Sequence, residues 1–154
     1  MDILMELWAY APDLKVKLLC LAFAAQIVLT IVAYSKLSKA RIAAIKAGKV
    51  EPETFKATRD EPDELRVFSR AVANQFELPV IFYALVAASL ALKVTSWLTV
   101  LLAFAFVVFR YLHLQEMTGR HNVFRRRRLF FRSVQIILLM LAEFVLSALL
   151  FAQG

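Results

Sequence analysis

Glycine is nearly absent from this sequence, with three residues in 154. Hairpins and β-bulges rely on glycine to reach left-handed backbone conformations, so a fold rich in them is disfavoured. Cysteine occurs once, at Cys20, which excludes an intramolecular disulfide and any cysteine-based metal cluster. Its apolar surroundings predict an inert, packed thiol. No Gly- or Ser-rich linker, low-complexity tract or internal repeat interrupts the chain, so one domain is the simplest division. A cleavable leader is not evident either. The first apolar run starts near Leu18 behind an acidic and aromatic segment (Asp2, Glu6, Trp8, Asp13), exceeds a signal core and lacks a small-residue cleavage site. It reads as a retained transmembrane helix.

What the chain has in excess is apolar side chains. They make up 61% of residues, against roughly 45–50% in soluble domains. The expected class is all-α, an integral membrane four-helix bundle. Crossing about 30 Å of hydrocarbon takes roughly 20 helical residues, and four segments qualify approximately: 14–34, 67–92, 96–111 and 133–151. Only Lys93, Thr95 and Ser96 interrupt the second and third, which predicts a tight antiparallel pair. Within the first connection, Ser38 to Gly48 is helix-prone with Gly48 as its stop. An irregular segment around Pro52 and Pro62 is expected to follow.

The net charge of +7 is concentrated in two connections, 35–66 and 112–132. Lys36, Lys39, Arg41, Lys46, Lys49, Lys56 and Arg59 lie in the first; Arg120, Arg125, Arg126, Arg127, Arg128 and Arg132 lie in the second. The positive-inside rule puts both on the cytoplasmic side and both termini outside. The run Phe124 to Arg128 is expected to anchor this topology and meet anionic lipid headgroups. Nucleic acid is not an expected partner, because aromatic residues do not interleave with the arginines as in a single-strand binder.

Three polar residues stand out inside the second span. Arg70, Asn74 and Glu77 follow i, i+4, i+7 spacing and are expected on one helix face. Glu77 lies about 16 Å along the axis from Arg66, too deep to reach headgroups easily. Intramembrane charge costs at least about 2.5–3.5 kcal/mol, so such groups are paired or line a wet cavity. Pro79 is expected to kink the span and help open one. Arg110 and His113, one turn apart at the end of the third span, reach similar depth. The residues alone also allow an interhelical clamp of Arg70 and Glu77, with Asn74 as a helix–helix hydrogen bond. His113 near a helix end is more often a polar interface residue than a metal ligand, and no metal is expected. Tyr111 and Trp97 fit aromatic belt positions.

The stretch "RAVANQFELP", the "FRYLH" end of the third span, the sizeable first connection and the very short second one together resemble the MAPEG family (membrane-associated proteins in eicosanoid and glutathione metabolism), in its bacterial form. The resemblance implies a homotrimer of four-helix protomers, in a bacterial inner membrane, with glutathione as co-substrate held between subunits near the cytoplasmic side. By motif position it implies glutathione contacts from Arg70, Asn74, Glu77, Arg110 and His113. It also implies a thiolate-stabilising arginine near the start of the fourth helix, where Arg126 fits one family spacing best. The activity implied is transfer of glutathione to lipophilic electrophiles, or a peroxidase reaction; the alternative is a non-catalytic protein binding lipid or a small ligand. Met117 stands where many catalytic relatives have a tyrosine. A transporter using Glu77 as a cation-binding carboxylate is disfavoured by the neighbouring Arg70.

Overall fold

The computed structural model describes residues 2–56, 61–120 and 122–151, with side chains over 14–56, 61–119 and 122–151. Arg59, the Arg120 side chain and the acidic and aromatic side chains before Leu14 therefore lie outside the described residues. Among those described there are five α-helices: α1 (Asp2–Lys46), α2 (Asp63–Ala73), α3 (Leu78–Ala91), α4 (Trp97–Gln115) and α5 (Val123–Phe151). A 3-10 turn covers Pro52–Lys56 and a π-helical turn covers Glu116–Arg120. Four segments are long and apolar enough to cross a membrane: Leu14–Lys46, Asp63–Ala91, Trp97–Gly119 and Val123–Phe151. The chain is an all-helical membrane protein.

Helix ends follow local chemistry. Gly48 takes φ +66° and closes the end of α1, with its N–H on the Ile45 carbonyl at 2.9 Å and the Lys49 N–H on the Ala44 carbonyl at 3.0 Å. This is the Schellman arrangement, which satisfies carbonyls that the helix leaves open. Lys93 repeats it after α3 at φ 56°, with the Val94 N–H on the Ser89 carbonyl at 3.0 Å. Ser96 then caps α4, accepting from the Thr99 N–H at 3.0 Å, and both hydroxyls reach the Glu143 carboxylate of α5 at 2.6 and 2.9 Å. A negative group beside the first turn of α4 also suits its macrodipole.

Two expectations about packing are corrected. The second and third spans are not a close antiparallel pair: α4 lies chiefly along α5 and α1, and α3 along α5 and α1. Phe82 and Phe106 meet across the centre as stacked rings with centroids 4.7 Å apart. Cys20 is exposed, not packed, because Leu19 and Ala22 take the inward positions of α1. Trp97 and Tyr111 are exposed near opposite ends of α4.

Two apolar clusters form the interior. One gathers Phe82, Val86, Ala103, Phe106, Ile137 and Met140; the other, toward the basic end, gathers Leu29, Ala33, Ala71, Val72, Leu114 and Met117. Gln26, Gln75, Arg110 and His113, all buried, fall between them in sequence on α1, the α2–α3 break and α4. The basic end is tied across helices. Lys36 donates to the Thr118 hydroxyl at 2.9 Å, and Arg41 donates to the buried Glu61 carboxylate at 2.9 Å and to Ser69 at 3.1 Å. Outward, Leu21, Val28, Ile31, Leu101 and Val108 are exposed, as hydrocarbon surroundings require.

Candidate functional site

The second span is broken, not merely kinked, and the break builds the site. Helix α2 ends at Ala73 and α3 begins at Leu78. Pro79 has no N–H to donate and its ring crowds the carbonyl of Gln75, four residues back. The intervening residues tighten, with Gln75 N–H on the Val72 carbonyl at 2.8 Å and Phe76 N–H on the Ala73 carbonyl at 2.9 Å. So Arg70, Asn74 and Glu77 do not share one continuous helix face as the spacing predicts. Arg70 belongs to α2, Asn74 caps its end, and Glu77 precedes α3.

Side chains from other helices hold this break. Arg110 is fully buried and donates from one terminal nitrogen to the Asn74 carbonyl at 2.6 Å. Gln26 donates to the Gln75 side-chain oxygen at 3.1 Å. Both bonds serve backbone or amide groups that would otherwise lie unpaired in a low-dielectric interior. The Arg110 Nε and other terminal nitrogen have no hydrogen-bond partner among the described residues, and neither does His113 Nδ1.

A cavity of about 520 Å³ opens beside the break, lined by Arg70, Ala73, Asn74, Glu77, His113, Met117, Val123, Arg126, Arg127 and Phe130. Five of the six residues expected at the site are therefore brought together. The sixth, Arg110, is not among the lining side chains. One terminal nitrogen of its guanidinium holds the Asn74 carbonyl, so Arg110 supports the wall from behind. Asn74 donates its amide to the Arg70 carbonyl at 2.8 Å and approaches the Met117 sulfur at 3.7 Å. His113 lies within electrostatic reach of Arg110 and Arg126, and its ring centroid is 6.0 Å from that of Phe130.

The arginine run is helical, which fixes its register. Asn122 accepts from the Arg125 N–H at 2.9 Å, an N-cap that starts α5 within the connection expected over 112–132. Glu116, buried in the π-helical turn, pairs with Arg125 at 3.3 Å and accepts from the Asn122 N–H at 3.3 Å. With Arg125 held there, Arg126 and Arg127 line the cavity and Arg128 does not. Sequence reasoning missed Gln26 and Gln75 as supports and Arg127 and Phe130 as lining. A glutamine within each of two apolar runs was the available signal for the first pair.

The MAPEG family model matches residues 19–146, most of the chain and every residue that lines the cavity. The chain belongs to the MAPEG family. No curated protein and no solved structure gave a match in the corresponding searches. Membership puts this multi-pass membrane protein in a family associated with glutathione and eicosanoid metabolism. The break, the cavity and the arginine register are features of this MAPEG chain's own residues.

Proposed function

We propose that this MAPEG protein is a glutathione-dependent membrane transferase or peroxidase acting on lipophilic electrophiles or hydroperoxides. The observation that carries the reading is the charge inventory of the cavity. Three guanidinium groups (Arg70, Arg126, Arg127) and one carboxylate (Glu77) line it. Ionised glutathione presents the complement: two carboxylates, a thiolate and one ammonium. Arginine forks bind carboxylates bidentately, and Glu77 accepts from the γ-glutamyl ammonium. The Asn74 oxygen accepts from a peptide N–H. At about 520 Å³ the space falls within the roughly 300–1,000 Å³ usual for small-ligand sites.

Arg126 takes the thiolate role. A guanidinium beside a thiol favours the ionised form, lowering its pKa from about 8.5. The thiolate sulfur then attacks the electrophilic carbon of an acceptor arriving through the bilayer. A carbon–sulfur bond forms, and the leaving group departs with the electron pair of the bond it breaks. The protein supplies positioning and charge, with no covalent enzyme intermediate. Arg110 acts one step removed, as a positioning residue for Asn74. A homotrimer, with glutathione between neighbouring subunits and the basic end cytoplasmic, is part of the same proposal.

One observation favours the non-catalytic alternative, a protein that only binds lipid or a small ligand. Met117 lines the cavity and takes up part of the Asn74 amide, and its thioether cannot donate a hydrogen bond. Isothermal titration of the purified protein in detergent separates the readings. Glutathione is expected to bind at millimolar levels or tighter. Arg70→Ala and Glu77→Gln should each weaken binding about tenfold or more, the loss of one charge-assisted hydrogen bond. No binding by folded protein would leave the alternative standing.

A further inference from the structure

The arginine run serves two faces of α5, and only one belongs to the cavity already described. On the other face, Phe124, Arg128, Phe131 and Gln135 follow i, i+4, i+7, i+11 spacing, with Arg127 and Arg132 beside them. These six residues enclose a separate concavity of about 560 Å³. Its aromatics are open, Phe124 at 80% and Phe131 at 51% exposure. Among the described residues its cations are uncommitted to acids. Arg132 donates to the neutral Gln135 oxygen at 3.1 Å, Arg127 lies over the Phe131 ring at 5.5 Å, and among the described residues Arg128 has no carboxylate partner.

Below this basic box the same face continues as exposed aliphatic side chains. Leu138, Leu139 and Leu146 are each more than half exposed. From Leu138 to Leu146 the helix advances about 12 Å, most of the depth of one leaflet of a bilayer whose hydrocarbon core is about 30 Å. A free phosphate or a nucleic acid needs the cations but has no use for this apolar track. A lipid matches both parts.

We propose that this face of α5 binds an anionic phospholipid from the leaflet at the basic end, with Arg128 and Arg132 on the headgroup phosphate and an acyl chain along Leu138, Leu139 and Leu146. Phe124 and Phe131 flank the headgroup at the interface, where aromatic rings are favoured. Arg127, which lines both concavities, sits between this lipid and the first cavity. The proposal stands whether or not glutathione occupies that cavity.

The test uses the full chain in neutral detergent, titrated with short-chain phosphatidylglycerol and, separately, phosphatidylcholine, with binding read by native mass spectrometry. Wild type is expected to prefer phosphatidylglycerol by about 25-fold, a factor of about five for each of the two arginines. Arg128→Gln/Arg132→Gln should abolish that preference while its melting temperature without lipid stays near wild type. Arg128→Lys/Arg132→Lys, which keeps the charge, should retain most of it and guards against loss of fold in the first variant. Equal binding of the two lipids by wild type, or an undiminished preference in the glutamine variant, would overturn the proposal. So would full displacement of the lipid by inorganic phosphate or by a single-stranded oligonucleotide.

Discussion

Arg110→Met is expected to raise the KM for glutathione about 30–100-fold while shifting the melting temperature only slightly. The guanidinium donates to the Asn74 carbonyl at 2.6 Å from a fully buried position. Hydrogen bonds from charged donors contribute about 1.5–3 kcal/mol, and tenfold in affinity corresponds to about 1.4 kcal/mol. Stability changes less than that figure because methionine removes a costly buried charge as well as the bond. What is lost is the position of Asn74, whose carbonyl is then free to turn. A merely structural role would move stability and leave KM alone. Arg110→Lys should recover part of the glutathione affinity, since a single charged donor is all the Asn74 carbonyl requires.

Arg126→Gln is expected to lower kcat for conjugation of a chloronitrobenzene acceptor about 10²–10³-fold, the usual cost of removing a preorganised group that stabilises developing or resident negative charge. Glutathione binding should change far less, because Arg70 and Arg127 remain in the lining. The pH profile carries the sign. If Arg126 holds the thiolate as proposed, the thiol ionises below its ordinary value, and the limb over which activity climbs with pH is expected at lower pH than for free thiol. Without it the rising limb should move up toward about 8.5, and rates at high pH should partly recover. Stopped-flow measurement of thiolate absorbance on mixing with glutathione reads the same shift directly. An unchanged profile with a reduced rate would assign Arg126 a role other than holding the thiolate.

The long helices were legible because run length and composition are local properties, and so were the stops at Gly48 and near Ser96. The full break at 74–77 was half legible. Pro79 announces a disturbance, but the groups that bond to the parted residues, Arg110 on Asn74 and Gln26 on Gln75, come from other helices. Cys20 was misjudged because α1 is apolar nearly all round, and a helix without a polar face gives no sign of which side is turned inward. The arginine register was open for a similar reason. Four identical residues carry no phase, which is set by the Asn122 cap and by Glu116 reaching Arg125 from the π-helical turn. Arg70, Asn74, Glu77, His113 and Arg126 line one cavity although the single helix face assumed for the first three does not exist. Their common depth in the bundle was enough to bring them together.

The cavity at the helix break is proposed to receive glutathione. A density map of the protein in detergent with saturating glutathione tests that proposal most directly. A tripeptide-sized feature is expected, bounded by Arg70, Asn74, Glu77 and His113, with its sulfur end nearest Arg126. An empty cavity with glutathione ordered elsewhere, or density there that persists unchanged when glutathione is omitted, would contradict it.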